Sequence, residues 1–187
     1  MFERFLAGRR ALLADSLIAA SARAGRILDI GCGATPLFLS EIEFAEKFGV
    51  DAVSSGIKEG GAIYVGRFNA VSGAPLPFED NYFDVVTMLA VIEHFDKKHF
   101  STVAGEVRRV LKPGGVFILT TPPAWADPLL RIMAFFWLVS PVEMAEHKGA
   151  YTVNEVVDGL VAAGFSRQNV QAGYFLLLLN SWARAQK

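Results

Sequence analysis

The sequence has only one cysteine, Cys32, among 187 residues. A lone thiol makes no intramolecular disulfide and no multi-cysteine metal site, and this usage fits a reducing compartment, so the cytoplasm is the expected location. Net charge is also missing. Eighteen Lys and Arg stand against 19 Asp and Glu, a formal charge of -1. That balance provides no field to gather polyanions, and nucleic acid is not an expected partner. Long apolar runs are absent as well: segments 132–139 and 174–179 fall far short of the roughly 20 residues needed to span a bilayer. Arg9 and Arg10 precede a short apolar stretch in the manner of a leader peptide, but Glu3, Asp15 and Arg23 break that pattern. Charged residues are scarce, at 20%, whereas 52% are hydrophobic and the mean hydropathy is +0.35. Such a chain is too apolar for disorder, and its excess of greasy side chains points to an apolar ligand or surface. Its length suits one domain spanning residues 1–187.

Apolar residues at mixed three- and four-residue spacings over 2–22 predict a covering helix or helix pair within segment 1–25. Arg26-Ile27-Leu28-Asp29-Ile30 reads as a strand that stops at Gly31-Cys32-Gly33, with Thr35 placed to cap and Pro36 to open a helix. Residues 48–51 and 63–65 read as further strands, with an irregular connection around Gly56 to Gly61. Residues 83–89 form a buried strand, Val91-Ile92-Glu93-His94 a loop, and 96–111 a helix. Lys112-Pro113-Gly114-Gly115 reads as a tight turn before a strand over 116–120. Segment 125–150 begins with a very apolar stretch, an inserted helix or lid. Thr152 and Glu155 form a capping box, and Gly164 marks the helix stop. Two last strands, at 167–170 and 174–179, are joined by Gln171-Ala172-Gly173, too short for a crossover, so they pair antiparallel. Alternating strands and helices predict a mostly parallel α/β sheet covered on both faces, with ligands at the carboxyl ends of its strands.

The glycine turn between strand and helix lets a ligand approach backbone at a helix start. A dinucleotide-binding fingerprint wants a third glycine where Pro36 stands, which argues against a nicotinamide-dependent oxidoreductase. Asp29, just before the turn, suits a cationic head such as an ammonium group, or simply stabilises the turn. Asp51 ends the second strand 18 positions after Gly33, from where a carboxylate accepts hydrogen bonds from ribose hydroxyls.

Ile27-Leu28-Asp29-Ile30-Gly31-Cys32-Gly33, Val50-Asp51, Leu76-Pro77-Phe78, Phe83-Asp84-Val85-Val86, Ile92-Glu93-His94, Arg109-Val110-Leu111-Lys112-Pro113-Gly114-Gly115 and Thr121-Pro122, in this order, resemble a class I S-adenosylmethionine-dependent methyltransferase of the small-molecule, type 11-like kind. The resemblance covers residues 26–122 and implies a Rossmann-like seven-stranded sheet with an antiparallel last strand. It also implies S-adenosylmethionine as cofactor, S-adenosylhomocysteine as product and a small-molecule acceptor. By position, Asp29 with Gly31, Cys32 and Gly33 holds the methionine end, Asp51 the ribose, and Asn69 the adenine. Leu89 and Ala90 line the methionine and the path of methyl transfer. Ala90 stands where metal-binding relatives carry a glutamate, so no metal is expected. For a hydroxyl acceptor, His94 and His147 are the candidate bases, each equally readable as an ordinary loop histidine. Cys32 reads as a small turn residue rather than a nucleophile. The apolar lid fits a hydrophobic or lipid-like acceptor, or peripheral contact with a membrane; a packed helix or a homodimer contact fits it equally. A non-catalytic cofactor-binding subunit is the alternative outside the enzyme class.

Overall fold

The computed structural model describes residues 2–52, 63–69, 74–94, 96–135 and 149–187. The expected connection at Gly56 to Gly61, the later part of the lid and His147 lie outside these residues. The elements run α1 (Phe2–Ser16), β1 (Arg26–Ile30), α2 (Leu37–Glu41), β2 (Glu46–Asp51), β3 (Ile63–Arg67), β4 (Phe83–Leu89), α3 (Lys97–Val110), β5 (Leu111–Thr121), α4 (Asp127–Phe135), α5 (Val153–Ala162), β6 (Val170–Phe175) and β7 (Asn180–Gln186). The strands form one seven-stranded sheet in the order β3-β2-β1-β4-β5-β7-β6. Pairing is parallel from β3 through to β5, and β7 is antiparallel to both of its neighbours. The chain leaves β1 in one direction for β2 and β3, then returns to β1's other side with β4. The crevice at such a reversal is where open α/β sheets take ligands.

Alternation along the strands divides the core into two layers. Leu28, Val86, Met88, Phe117 and Leu119 face α3 and α5, where they meet Phe100, Val107, Val156 and Leu160. Ile27, Val85, Val116 and Ile118 face the other way, toward Ala14 and Ile18 near the end of α1 and Phe38 and Leu39 of α2. Asp29 and Thr87 fall on this second face by the same alternation, directly opposite each other in the β1–β4 register.

The structure departs from the sequence expectations in three places. α2 starts only at Leu37, and Pro36 at its N-cap makes no side-chain cap bond, so Thr35 does not cap; its carbonyl instead accepts the Leu37 N–H at 2.8 Å. Lys112-Pro113-Gly114-Gly115 is an excursion within β5, not a turn ahead of it: Leu111 already pairs with Phe83, and regular pairing resumes at Val85 and Val116. The closing hairpin is antiparallel, as expected, but displaced along the chain. Gln171, Ala172 and Gly173 lie inside β6, and the four leucines 176–179 make the turn. The small residues Ala183 and Ala185 belong in the strand because they are buried beneath the α5 layer, so packing outweighs the stronger apolarity of the leucines.

Candidate active site

The glycine turn is fastened to the end of β2. The Gly31 N–H donates to the Val50 carbonyl at 2.8 Å, and the Gly33 N–H donates to Asp51 Oδ2, also at 2.8 Å. Both glycines have positive φ, 79° at Gly31 and 73° at Gly33, a region costly for residues with a Cβ. At Gly31 a Cβ would also collide with Val91 Cγ2. The turn is therefore compact, pressed against the segment that follows β4, and holds Asp51 beside it.

Asp29 is 4% exposed. The Thr87 hydroxyl donates to its Oδ1 at 2.7 Å. Burial pushes the Asp29 carboxyl up to about 7; the Thr87 bond opposes this rise, and the nearby Asp51 charge adds to it. Burial, together with the charges of Asp29 and Asp51, pushes the Cys32 thiol up to about 12. Its Sγ packs against β2, 2.7 Å from where a Cβ would stand on Gly49. Burial and packing thus favour the neutral thiol at Cys32.

A cavity of about 440 Å³ opens at this edge of the sheet. Asp29, Gly31, Cys32, Thr35 and Leu89 line one side, and Ala7, Gly8, Arg10 and Ala11 of α1 line another. The first side unites four of the residues singled out in the sequence: Asp29, Gly31, Cys32 and Leu89. Gly33 and Asp51 adjoin it through their mutual hydrogen bond. Asn69 is exposed just after β3, where the neighbouring Phe68 N–H donates to the Asp51 carbonyl at 3.0 Å. Ala90 has a positive φ of 59° and donates its N–H to the Thr120 carbonyl, while His94 is half-buried in the short turn Ile92–His94; neither lines the cavity. Thr87 and the α1 residues were not legible as site residues. Thr87 reaches Asp29 only through strand register, and α1 reaches the cavity only through tertiary packing.

A model of the methyltransferase domain family matches residues 28–119, which contain the glycine turn, Asp29 and Asp51. Residues 28–119 thus resemble a methyltransferase domain. The chain is 36% identical over 113 residues to the uncharacterized methyltransferase YcgJ of Bacillus subtilis, covering 56% of this chain and 44% of that protein. It is 34% identical over 109 residues to the ubiquinone/menaquinone biosynthesis C-methyltransferase UbiE of Desulfotalea psychrophila, covering 54% and 44%. The matches thus span less than half the length of these relatives. The crystal structure of an S-adenosylmethionine-dependent methyltransferase from Mesorhizobium loti superposes with a TM-score of 0.70 over 95% of this chain and 98% of that one, at 16% identity, a likeness of fold.

The residues at this edge suit S-adenosylmethionine chemically. A buried carboxylate at a glycine turn accepts an ammonium group, and a second carboxylate at the end of the adjacent strand accepts hydroxyls. The cofactor supplies an electrophilic methyl on a sulfonium.

Proposed function

We propose that this protein transfers a methyl group from S-adenosylmethionine to a small apolar acceptor, acting as a single domain over residues 1–187. The observation that carries this reading is the shared cavity. One side offers the buried carboxylate, the glycine backbone and Leu89; the other is built from the small residues Ala7, Gly8 and Ala11 of α1 with Leu37 and Phe38, and also carries Arg10 and Glu41. Asp29 holds the methionine ammonium, Asp51 the ribose hydroxyls and Asn69 the adenine edge, while Leu89 and Ala90 border the methyl path. An acceptor confined between α1 and this wall is held in line for direct displacement with water excluded, and no covalent bond to the enzyme is required. For a hydroxyl acceptor His94 or His147 takes the proton; for a carbon acceptor activated by its own ring system the demand on a base is smaller. The name of the relative from Desulfotalea psychrophila supports the carbon acceptor and a quinone-like class.

The test is calorimetric titration of the purified chain with S-adenosylmethionine and S-adenosylhomocysteine, followed by labelled methyl transfer to a panel of quinone precursors and other apolar acceptors. Micromolar binding of either cofactor form and labelled product from an apolar acceptor are expected. A folded chain that binds neither form overturns the enzyme reading, and transfer confined to polar acceptors overturns the acceptor class.

A further inference from the structure

Glu93 is a buried carboxylate that the site described above does not use. It is 3% exposed, in the turn Ile92–His94 that follows β4. Among the described residues one hydroxyl bonds its side chain. Thr121 Oγ1, fully buried at the end of β5, donates to Glu93 Oε2 at 3.0 Å, with the Pro122 carbonyl farther off at 3.5 Å. Taking a carboxylate out of water is expensive, and an apolar side chain of similar volume is often tolerated as well or better. What a carboxylate offers here, and an apolar side chain does not, is a bond between the turn after β4 and the end of β5.

Both parts that it joins are themselves anchored. The Ser181 hydroxyl of β7 donates to the Thr121 carbonyl at 2.9 Å. The Glu93 carbonyl accepts the Gly149 N–H at 3.0 Å, and two residues on, the Tyr151 carbonyl accepts the Ala124 N–H at 2.8 Å. The turn held in this way starts from a costly conformation. Ala90, between β4 and the turn, has a φ of 59°, a region that a residue with a Cβ keeps only where its surroundings impose it. One restraint is the Ala90 N–H, which donates to the Thr120 carbonyl at 2.9 Å; the His94 N–H closes the turn on the Val91 carbonyl at 3.0 Å. Glu93 adds a second tie, one residue further along β5. Directly before Ala90 stands Leu89, which lines the cavity, and directly after it Val91 packs where a Cβ on Gly31 would have to go.

The geometry points to Glu93 as a positioning residue: through the Thr121 hydroxyl it holds segment 90–94 on the end of β5, and so keeps Val91 against the glycine turn and Leu89 in the cavity wall. The role needs an acceptor for one hydroxyl proton, not a base or a metal ligand, so the carbonyl of an amide serves in its place. The consequence for the cofactor rests on the methyl-transfer reading above; the hold on the turn does not.

The experiment is amide hydrogen exchange of peptides covering residues 89–94 in the full chain, with S-adenosylmethionine affinity measured by calorimetry on the same preparations. Glu93→Leu and Thr121→Val are each expected to speed exchange at residues 90–94 and to weaken cofactor binding about tenfold, the scale on which a residue that touches no ligand is coupled to one. Combining them is expected to cost no more than either alone, because both remove the same bond. Glu93→Gln retains the acceptor and is expected to keep native exchange and affinity. Since Glu93→Leu removes a buried charge, its melting temperature is expected to hold while affinity falls, a split that a purely structural residue does not give. Native exchange in Glu93→Leu overturns the inference, as does faster exchange with native affinity. An equal loss of affinity in Glu93→Gln and Glu93→Leu also overturns it and assigns the function to the charge itself. If Glu93→Leu fails to fold, Thr121→Val, which trades one hydroxyl for a methyl, decides by the same two readouts. In a native chain that binds no cofactor, faster exchange in the two variants upholds the hold on the turn while removing the methyl-transfer reading.

Discussion

Asp29 connects affinity for the cofactor to the stability of the fold. Its pKa is raised from 3.8 to about 7, so the folded state holds this proton more tightly than the unfolded chain does. The ligand-free fold therefore loses stability as pH rises from about 4 to about 7, and the penalty is constant above that. Asp29→Asn, which removes the buried charge, is expected to raise the melting temperature of the ligand-free protein at pH 8 more than at pH 5. The same substitution should weaken S-adenosylmethionine binding at least tenfold, since a charge-assisted bond is worth about 1.5–3 kcal/mol. In the native protein the cofactor's ammonium favours the ionised carboxylate, so binding near pH 6 should release a proton, visible as a dependence of calorimetric enthalpy on buffer ionisation heat. Unchanged binding in the Asn variant would detach Asp29 from the site. Gly31→Ala makes a separate test: with φ at 79° and Val91 in the way, the turn must shift, and cofactor affinity should fall while far-UV circular dichroism is retained. Asp29, the two glycines and Asp51 were legible in the sequence because their chemistry depends on spacing along one stretch of chain. Thr87 was not, because it meets Asp29 through the pairing of β1 with β4 across 58 residues.

Among the elements, α1 and α5 test different things. Thr152 caps α5 in a complete capping box: its hydroxyl accepts the Glu155 N–H at 3.2 Å while Glu155 accepts the Thr152 N–H at 2.8 Å. Thr152→Ala should cost about 1 kcal/mol and lower the melting temperature by about 2–4 °C, with cofactor affinity untouched. α1 offers the converse. A Cβ on Gly8 would meet nothing within 4 Å, yet Gly8 lines the cavity. Gly8→Leu should therefore maintain or raise stability, since glycine is a poor helix former, and reduce ligand binding by filling the space. Equal affinity for ligand in that variant would remove α1 from the binding wall. The reading of elements from sequence succeeded where apolar pattern and packing agree, as in β1 and β4, whose bounds match the expected strands. It failed at the closing hairpin, where apolarity and strand location part. Leucines 176–179 are more apolar than Ala183 and Ala185, but only the alanines lie under the helices, and sequence pattern does not reveal which edge of a sheet a hairpin will extend beyond.

For the molecule as a whole, binding and folding are linked because the site is built from parts far apart in the chain: α1, the turn after β1, and the end of β4. Saturating S-adenosylmethionine, at about 100 times its dissociation constant, should add about 2.7 kcal/mol of stability and raise the melting temperature by about 5–10 °C. No shift with either cofactor form, in a chain that unfolds cooperatively, would count against a formed site. The architecture was legible as a whole because alternating strands and helices leave few ways to build a parallel sheet, whereas the acceptor was not, since the α1 side of the cavity is brought there by tertiary packing that follows no common motif. The antiparallel strand β7 also bears on how this chain is made. It sits between β5 and β6, so neither inward edge is paired until residues 180–186 have been synthesised. During translation β5 therefore presents the unprotected edge of its apolar run, Val116-Phe117-Ile118-Leu119, the kind of edge on which nascent chains cross-pair. Slow elongation through the leucine turn would prolong that exposure, and the yield of native protein should depend on how quickly the ribosome finishes the final strand.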